Sequence, residues 1–245
     1  MTLRVGLVGY GTAGKVFHAP LIAATPGLTL KSLLASGALG RVVRFESRFD
    51  RWRPVPKSGW RELPGRDEAG GVLFDLGAHL IDQALQLFGP PRSIHAEVNR
   101  QRDGVQVDDD FFVALTHESG VISHLAASTL AAHPAPRFRL LGTSTAYTKH
   151  GLDVQEAALK AGGTPADPGW GTEPQSGWGL LGDTPVATKP GSYQYFYAAM
   201  VAALRDGAAV PVAPESAIAT LEVIEAAHAS ATIDRVISGG RGCHG

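Results

Sequence analysis

The sequence predicts a short α/β segment at the N-terminus and a larger α+β domain behind it. Two observations support this division. The first 31 residues contain an apolar run, a glycine-rich turn and a helical segment, which are typical of a buried strand followed by a helix. From residue 32 onwards, short alternating runs indicate half-buried strands, and longer segments indicate helices. Helices grouped around an antiparallel sheet define the α+β class.

The composition is that of an ordinary globular protein. Apolar residues make up 44% of the 245 residues, charged residues 18%, and the net charge is -1. The chain therefore lacks the basic excess of nucleic-acid-binding proteins, and its apolar runs are far shorter than the roughly 20 residues of a membrane span. We therefore predict that the protein binds neither a nucleic acid nor a membrane. The single cysteine, Cys243, fits a reducing compartment, so we expect a cytoplasmic protein.

The first element is predicted to be a buried strand that ends in a phosphate-binding turn. The run RVGLV at residues 4–8 is followed by GYGTAG, which fits the pattern G-x-G-x-x-G. The first glycine permits the tight turn, the second lets the backbone approach a pyrophosphate, and the third lets the helix pack on the strand. The phosphates would bind the free N–H groups of the helix N-terminus. The predicted residues for binding NAD or NADP are Gly9, Gly11, Thr12, Ala13 and Gly14.

The same segment is too short for a complete Rossmann domain, the doubly wound sheet of which this motif is typical. Such a sheet has six strands and, at roughly 24 residues for each strand–helix unit, requires on the order of 120 residues. No acidic residue that could hold the ribose precedes Glu46. An incidental glycine turn is the alternative. We predict a truncated Rossmann unit at residues 1–31 and a second domain at residues 32–245.

The second domain is predicted to contain several strands and three long helices. A further helix ends at Leu33 to Gly37, with the glycine as its cap, and short turns between strands favour antiparallel hairpins. Residues 162–191 form a loop whose length and tryptophans favour an ordered lid or interface. The predicted strands are 42–49, 94–100, 111–116, 121–128, 138–141 and 146–150, and the predicted helices are 72–88, 193–205 and 214–236.

The segment with the clearest chemistry is GGVLFDLGAHLID at residues 70–82. On a helix, Asp75, His79 and Asp82 lie at positions i, i+4 and i+7 and share one face. A carboxylate one turn from a histidine can fix its tautomer and raise its basicity, as a general acid or base at neutral pH requires. From spacing alone, an ordinary solvated helix face is the alternative.

No metal site is predicted from the sequence. The acidic run Asp108 to Asp110 is interpreted as a solvated turn, because a metal needs more ligands at the proper spacing. His117 and His124 flank a hairpin and are expected at the surface. Cys243 and His244 lack the partners of a zinc site.

Four segments resemble the glucose–fructose oxidoreductase / inositol dehydrogenase family (Gfo/Idh/MocA). They are GLVGYGTAGKVFHAPLI, LLASGALGRVVRFESRFDRWRP, GGVLFDLGAHLIDQALQLFG and GSYQYFYAAMVAALRDGAAVPV, and the first is similar to the NADP-leaning, scyllo-inositol-dehydrogenase-like branch. The resemblance implies a Rossmann domain followed by an α+β domain with an open, mostly antiparallel sheet. It also implies hydride transfer between NAD or NADP and a sugar, polyol or inositol, and a homo-oligomer built through the open sheet.

The resemblance also assigns roles to individual residues. It implies that Asp75 and His79 lie at the substrate, with His79 in proton transfer and Asp75 orienting it or binding substrate. Trp52, Arg53 and Tyr193 are candidate substrate contacts by resemblance only.

The chain departs from the family pattern in the cofactor domain. The family's catalytic lysine lies in an E-K-P motif, and no such tripeptide occurs here, since Lys189 and Pro190 follow a threonine in the late loop. The sequence resembles a member with an internal deletion at about residues 30–32, and we expect very low activity from it alone. The alternatives are a non-enzymatic module that binds sugar or assembles with a full-length relative, and a decayed gene product.

Overall fold

A computed structural model describes residues 27–64 and 68–239 of the chain. The predicted first strand and the cofactor-binding residues Gly9, Gly11, Thr12, Ala13 and Gly14 lie outside the described residues, as do Cys243 and His244. The predicted domain division at residue 31 falls within the first described helix, α1 (Gly27–Ser36), and stays a prediction.

The described residues form an open sheet of nine strands. The strands are β1 (Val42–Arg48), β2 (Pro91–Asn99), β3 (Asp110–His117), β4 (Ile122–Ser128), β5 (Phe138–Gly142), β6 (Ala146–Lys149), β7 (Gly179–Leu181), β8 (Thr184–Val186) and β9 (Ile237–Ser238). Their order is β8-β7-β6-β5-β1-β4-β3-β2-β9. β1 and β4 are parallel, and all other neighbours are antiparallel. The predicted α+β class with an open, mostly antiparallel sheet is confirmed.

Two short strands, β7 and β8, lie inside the segment that the sequence predicts as a long loop. Each has three residues, which is too few for an alternating pattern to be recognised. Gly182 turns the chain between them with φ +58°. The hairpin pairs with β6, so part of residues 162–191 is ordered by the sheet itself.

Four more α-helices follow α1 in the described residues. They are α2 (Ala78–Phe88), α3 (Val154–Lys160), α4 (Gln194–Asp206) and α5 (Pro214–Ile233). A π-helical turn, Leu73–Gly77, precedes α2, so the predicted helix 72–88 changes its pitch at residue 78. Gly37 follows α1 with φ +68°, as predicted for a glycine cap. Within the described ranges, no helix has the length and hydropathy needed to cross a membrane.

The core lies between one face of the sheet and the helices α2 and α5. Phe45 and Ser47 of β1 are fully buried, whereas Arg44 and Glu46 project from its other face and are half-buried. The second face of β1 therefore carries charged side chains instead of core residues. The largest fully buried side chains are Tyr147, Phe45, Phe111, Leu39, Leu73, Leu80, Ile81, Ile94, Leu115, Leu125 and Leu140.

Candidate functional site

The start of the predicted catalytic helix is held by an acidic residue that precedes β3. Asp108 Oδ2 accepts a hydrogen bond from the backbone N–H of Leu73 at 2.7 Å, and the Asp108 carbonyl oxygen accepts one from Val72 at 3.0 Å. Gly71 has φ +95°, and a Cβ there would lie 2.1 Å from Asp108 Oδ1, so the position requires glycine. Asp108 is part of the helix start, and its interpretation as a solvated turn is wrong.

Asp75 is paired with two arginines of the segment that precedes the helix. Its Oδ1 lies 2.7 Å from Arg61 Nε, its Oδ2 lies 3.6 Å from Arg51 Nη1, and 13% of its side chain is exposed. Within the described part of the chain, no hydrogen bond joins Asp75 to His79, so no direct bond between them fixes the histidine tautomer. The carboxylate still raises the pKa of His79 through space.

His79 is exposed one turn beyond Asp75. The protein around the ring removes part of its hydration, and this desolvation lowers the pKa of His79 below its usual value. The positive charges of Arg137 and Arg51 act in the same direction, whereas Asp75 and Asp82 oppose them. His79 is therefore neutral at pH 7 and can accept a proton from a molecule in solution.

The segment that follows β1 is fixed alongside the end of β4. The backbone N–H groups of Arg51 and Arg53 donate to carbonyl oxygens of that strand end at 2.8 and 2.7 Å, and a β-bridge forms at Trp52. Trp52 is 58% exposed, and Arg53 is also exposed. Burial and the adjacent charge of Arg53 lower the pKa of Arg51. The segment therefore exposes an aromatic ring and a basic group to solvent, and it brings Arg51 to Asp75.

A buried ion network fixes the position of Arg61. The Arg102 side chain is 4% exposed; its Nε donates to Asp109 at 2.8 Å, and its Nη2 donates to both carboxylate oxygens of Glu62 at 3.1 Å. Asp109 is fully buried and accepts two backbone N–H groups at 2.7 and 3.0 Å. Its interpretation as part of a solvated turn is therefore wrong as well. Because Glu62 adjoins Arg61, the network anchors the arginine that binds the candidate catalytic carboxylate.

Arg137 places a buried cation between the end of β1 and α2. Its Nη1 donates to Ser47 Oγ at 2.7 Å and to the carbonyl oxygen of Arg48 at 2.9 Å, and its Nη2 donates to Gln83 Oε1 at 3.4 Å. The guanidinium also lies over the Phe138 ring, 4.4 Å from its centroid. Burial lowers the pKa of Arg137 to about 10, so the group stays protonated at neutral pH.

Tyr193 lies at the start of α4, beside α3. Its backbone N–H donates to Oε1 of the fully buried Gln155 at 3.0 Å, and Trp170 Nε1 donates to the same oxygen at 2.9 Å. Burial raises the pKa of the Tyr193 phenol, and the nearby carboxylates of Asp153 and Glu156 add to the effect. No hydrogen bond among the described residues joins Tyr193 to the Asp75 and His79 pair, so its predicted role as a substrate contact stays a prediction.

The two histidines of the hairpin, His117 and His124, differ in their burial. Among residues 27–64 and 68–239, no group of three or more His, Cys, Asp or Glu side chains could bind one. His117 is fully buried, with Nδ1 2.7 Å from the carbonyl oxygen of Gly89 and Nε2 2.7 Å from Ser123 Oγ. Its expected surface position is wrong, because the ring connects the end of α2 to the sheet. His124 is half-buried, 5.2 Å from the Phe112 ring.

Sequence reasoning missed the arginines that complete the site. Arg51 and Arg61 lie in the arginine-rich stretch between residues 48 and 61, and that richness is a usable signal. Arg137 gives no local signal, because its partner Ser47 lies 90 residues earlier in the chain.

Residues 28–148 match the GFO/IDH/MocA C-terminal domain. The chain is 35% identical over 218 residues to scyllo-inositol 2-dehydrogenase (NADP(+)) IolW of Bacillus subtilis, covering 86% of this chain and 60% of that protein. It is 40% identical over 205 residues to the uncharacterized oxidoreductase YdgJ of Escherichia coli, covering 81% of this chain and 58% of that protein. The chain thus spans about 60% of the length of the curated relatives it matches.

Solved structures share the fold. YvaA of Bacillus subtilis, described as an oxidoreductase, matches with a TM-score of 0.79 at 33% identity and covers 86% of this chain and 62% of its own. A structure described as an oxidoreductase from Bacillus cereus matches with a TM-score of 0.72 at 28% identity, covering 82% and 60%. The open sheet with its helices is therefore the fold of oxidoreductase relatives.

Proposed function

Because the chain belongs to the GFO/IDH/MocA family of oxidoreductases, we propose that its site serves NAD(P)-dependent hydride transfer to or from a sugar, polyol or inositol. The observation that carries this proposal is an exposed, neutral His79 next to an Asp75 that two arginines hold. The similarity to a scyllo-inositol 2-dehydrogenase (NADP(+)) supports a cyclic polyol as substrate and favours NADP as the cofactor.

The chain's own residues fit the proton-transfer half of such a site. His79 is uncharged and solvent-accessible, and it forms no hydrogen bond with another described residue. A bound NAD(P) would supply the hydride acceptor or donor. By their sequence pattern, the residues that would hold it are Gly9, Gly11, Thr12, Ala13 and Gly14.

In the direction of oxidation, His79 accepts the proton of the substrate hydroxyl group. The charges of Arg51 and Arg137 favour the negative charge that develops on the oxygen. Asp75 raises the pKa of His79 and so stabilises the imidazolium that forms when the proton arrives. The arginines therefore stabilise the substrate oxygen after it has lost its proton, and Asp75 stabilises the histidine that has gained it. Because both products of the transfer are stabilised, the ring can take the proton and return it. Trp52, Arg53 and Tyr193 are proposed to contact the substrate.

We propose that the activity of this chain alone is very low. It spans about 60% of the length of its relatives, and the lysine of the E-K-P motif is missing from its sequence. Loss of one general acid or base typically costs a factor of about 10²–10⁴ in rate. The single cysteine supports a cytoplasmic location for the protein.

A titration of the purified chain with NADPH and NADH tests the cofactor part of the proposal. Nicotinamide fluorescence and thermal unfolding are followed together, because a ligand at 100 times its dissociation constant stabilises the folded state by about 2.7 kcal/mol. We expect saturable binding that raises the unfolding temperature and is tighter for NADPH. No binding of either nucleotide at millimolar concentration would overturn this part of the proposal.

A second candidate is a non-enzymatic module that assembles or binds sugar. Its support is the face of the sheet opposite the core, where the half-buried residues Glu46, His124, Ala114 and His95 follow one another across four strands. On this face Arg139 pairs with Glu46 at 3.1 Å. Two copies, or one copy and a full-length relative, would associate through this face. Light scattering should then report a dimer. A monomer without sugar-dependent stabilisation would favour a decayed gene product.

A further inference from the structure

A cavity of about 650 Å³ lies beside Phe74, between α5 and the connection from β2 to β3. Small-molecule sites typically have volumes of about 300–1,000 Å³, and one water occupies roughly 30 Å³. The cavity can therefore hold a small organic molecule or several waters. It is not lined by the predicted catalytic and substrate residues Asp75, His79, Trp52, Arg53 and Tyr193.

One wall of the cavity is His228 of α5. Its Nε2 atom is buried and has no hydrogen-bond partner among the described residues, and its ring centroid lies 5.5 Å from that of Phe74. Buried polar atoms in native proteins are nearly always satisfied, so one that is not indicates a water, an ion or a ligand. Because His228 also lines the cavity, we take its orphan nitrogen as a sign that an occupant belongs there.

Asp108 faces the same space. Its Oδ2 accepts the backbone N–H of Leu73 at 2.7 Å, and the carboxylate lies close enough to His228 for the histidine to affect its titration. Arg100 and Gln106 add a guanidinium and an amide to the lining, and two valines add apolar surface. The cavity combines acceptors, donors and an aromatic face.

We propose that this cavity is a second ligand site, which binds a small, neutral, polyhydroxylated molecule of the cyclic polyol class. A hydroxyl group both donates and accepts, so it satisfies His228 Nε2 in either tautomer. Adjacent hydroxyl groups bridge His228 and Asp108, and the C–H face of the ring packs on Phe74. An anionic ligand is disfavoured, because the two carboxylates of Asp108 and Glu225 outnumber the guanidinium of Arg100 in the lining.

The second site is connected to the helix that carries the predicted catalytic pair. Asp108 both lines the cavity and accepts the N–H of Leu73, two residues before Asp75. A ligand that binds Asp108 therefore acts on the start of this helix without contacting His79. This inference does not depend on hydride transfer, and it holds equally for a sugar-binding module.

Histidine labelled with a nitrogen isotope in its ring tests the proposal by NMR in the full chain. Each of the nine histidines gives its own ring signals, so His228 and His79 report separately. The probe is myo-inositol, and inorganic phosphate is the anionic control. We expect a saturable shift of the His228 signals with myo-inositol, and no such shift with phosphate.

Two variants sharpen the result. His228→Phe keeps an aromatic ring against Phe74 but removes the nitrogen, and should weaken myo-inositol binding at this site roughly tenfold, as expected for one lost hydrogen bond. Ala229→Trp fills the cavity from its rim and should abolish that binding. His150→Phe, at an exposed position, is the matched control and should bind as the unmodified chain does. Isothermal calorimetry measures all three.

The responses of His228 and His79 together decide between the two sites. A response of His79 alone would assign the polyol to the predicted catalytic pair, which removes the second site but leaves the proposed function intact. Unchanged His228 signals in a saturated solution of myo-inositol would mean that the cavity holds water only. A His228 response with no His79 response would support the second site while counting against a polyol at the catalytic pair.

Discussion

Two charged clusters meet at neighbouring residues of one segment, yet they differ in their access to solvent. Glu62 belongs to the network of Arg102 and Asp109, in which the arginine side chain is 4% exposed and the aspartate 0%. Arg61 belongs to the cluster of Asp75, and its side chain is 49% exposed. Both clusters use arginine and carboxylate groups, so residue type alone does not separate their roles.

The difference shows how access to solvent decides what a charged cluster can do. In the buried network, Asp109 accepts from Arg102 and from two backbone N–H groups, so the network holds the segment in place. In the exposed cluster, His79 remains uncharged and open to solvent, so it can exchange a proton. The buried network stabilises the loop, and the exposed cluster is the one that we propose to carry the chemistry.

Replacing Asp109 by alanine is expected to have the largest effect on stability. The change leaves Arg102 buried with one of its two carboxylate partners, and removing one partner of a buried ion pair costs about 3–5 kcal/mol. Urea unfolding measures the loss. Asp110→Ala is the control, because this half-buried neighbour makes only a 3.4 Å hydrogen bond to Asn99, and it should cost about 1 kcal/mol. Equal losses in the two variants would contradict the role of the network.

The buried His117 is expected to make stability depend on pH. Burial lowers the pKa of His117, so below the unfolded value of about 6.5 the unfolded chain binds a proton that the folded chain does not. The contribution of His117 to the free energy of unfolding should be fully present above about pH 6.5. It should be lost as the pH drops towards the lower pKa of the folded state. Urea midpoints across this range should show a weaker dependence in His117→Asn than in His133→Asn, a change at an exposed position. The same dependence in both variants would rule out His117 as its source.

Asp75→Asn should change the titration of His79 more than it changes stability. The pair is partly exposed, so the loss in unfolding free energy should stay within about 1 kcal/mol. Removing the carboxylate removes the largest effect that raises the pKa of His79, so that pKa should fall further. An NMR titration of the ring measures it. Asp82→Asn should lower the pKa less, because Asp82 is the weaker of the two opposing charges; a rise in either variant would be inconsistent with this electrostatic picture.

The surface pair of Glu46 and Arg139 is expected to have the smallest effect. The two groups lie 3.1 Å apart, and the arginine side chain is 44% exposed. Exposed pairs of this kind contribute about 0–1 kcal/mol, so Arg139→Ala should leave the urea midpoint almost unchanged. A loss of unfolding free energy as large as that of Asp109→Ala would mean that the sheet face carrying Glu46 and Arg139 is covered in solution, as it would be in an oligomer.

The fold could be predicted where the local pattern was strong. Phe111, Val113 and Leu115 of β3 are buried and alternate with half-buried neighbours along the whole strand, so its period of two is visible in the sequence. β7 and β8 escaped prediction because each has three residues, and their place at the sheet edge is set by pairing with β6.

The candidate site was predictable only in its local part. Asp75 and His79 lie four residues apart, so their shared helix is evident from spacing. The π-helical turn beneath them depends on Asp108, which binds Leu73 from 35 residues away. Arg137 reaches Gln83 across 54 residues. Such partners are set by tertiary packing, which no local pattern reports.

Proton transfer by His79 is tested most directly by the initial rate of NADP⁺ reduction with a cyclic polyol, in the unmodified chain and in His79→Gln. Equal folded fractions are verified beforehand by urea unfolding, and His150→Gln serves as the exposed control. We expect a slow, polyol-dependent rate that falls by a factor of about 10²–10⁴ in His79→Gln and is unchanged in the control. Equal rates in all three proteins, or no dependence on polyol, would contradict the assignment of proton transfer to His79.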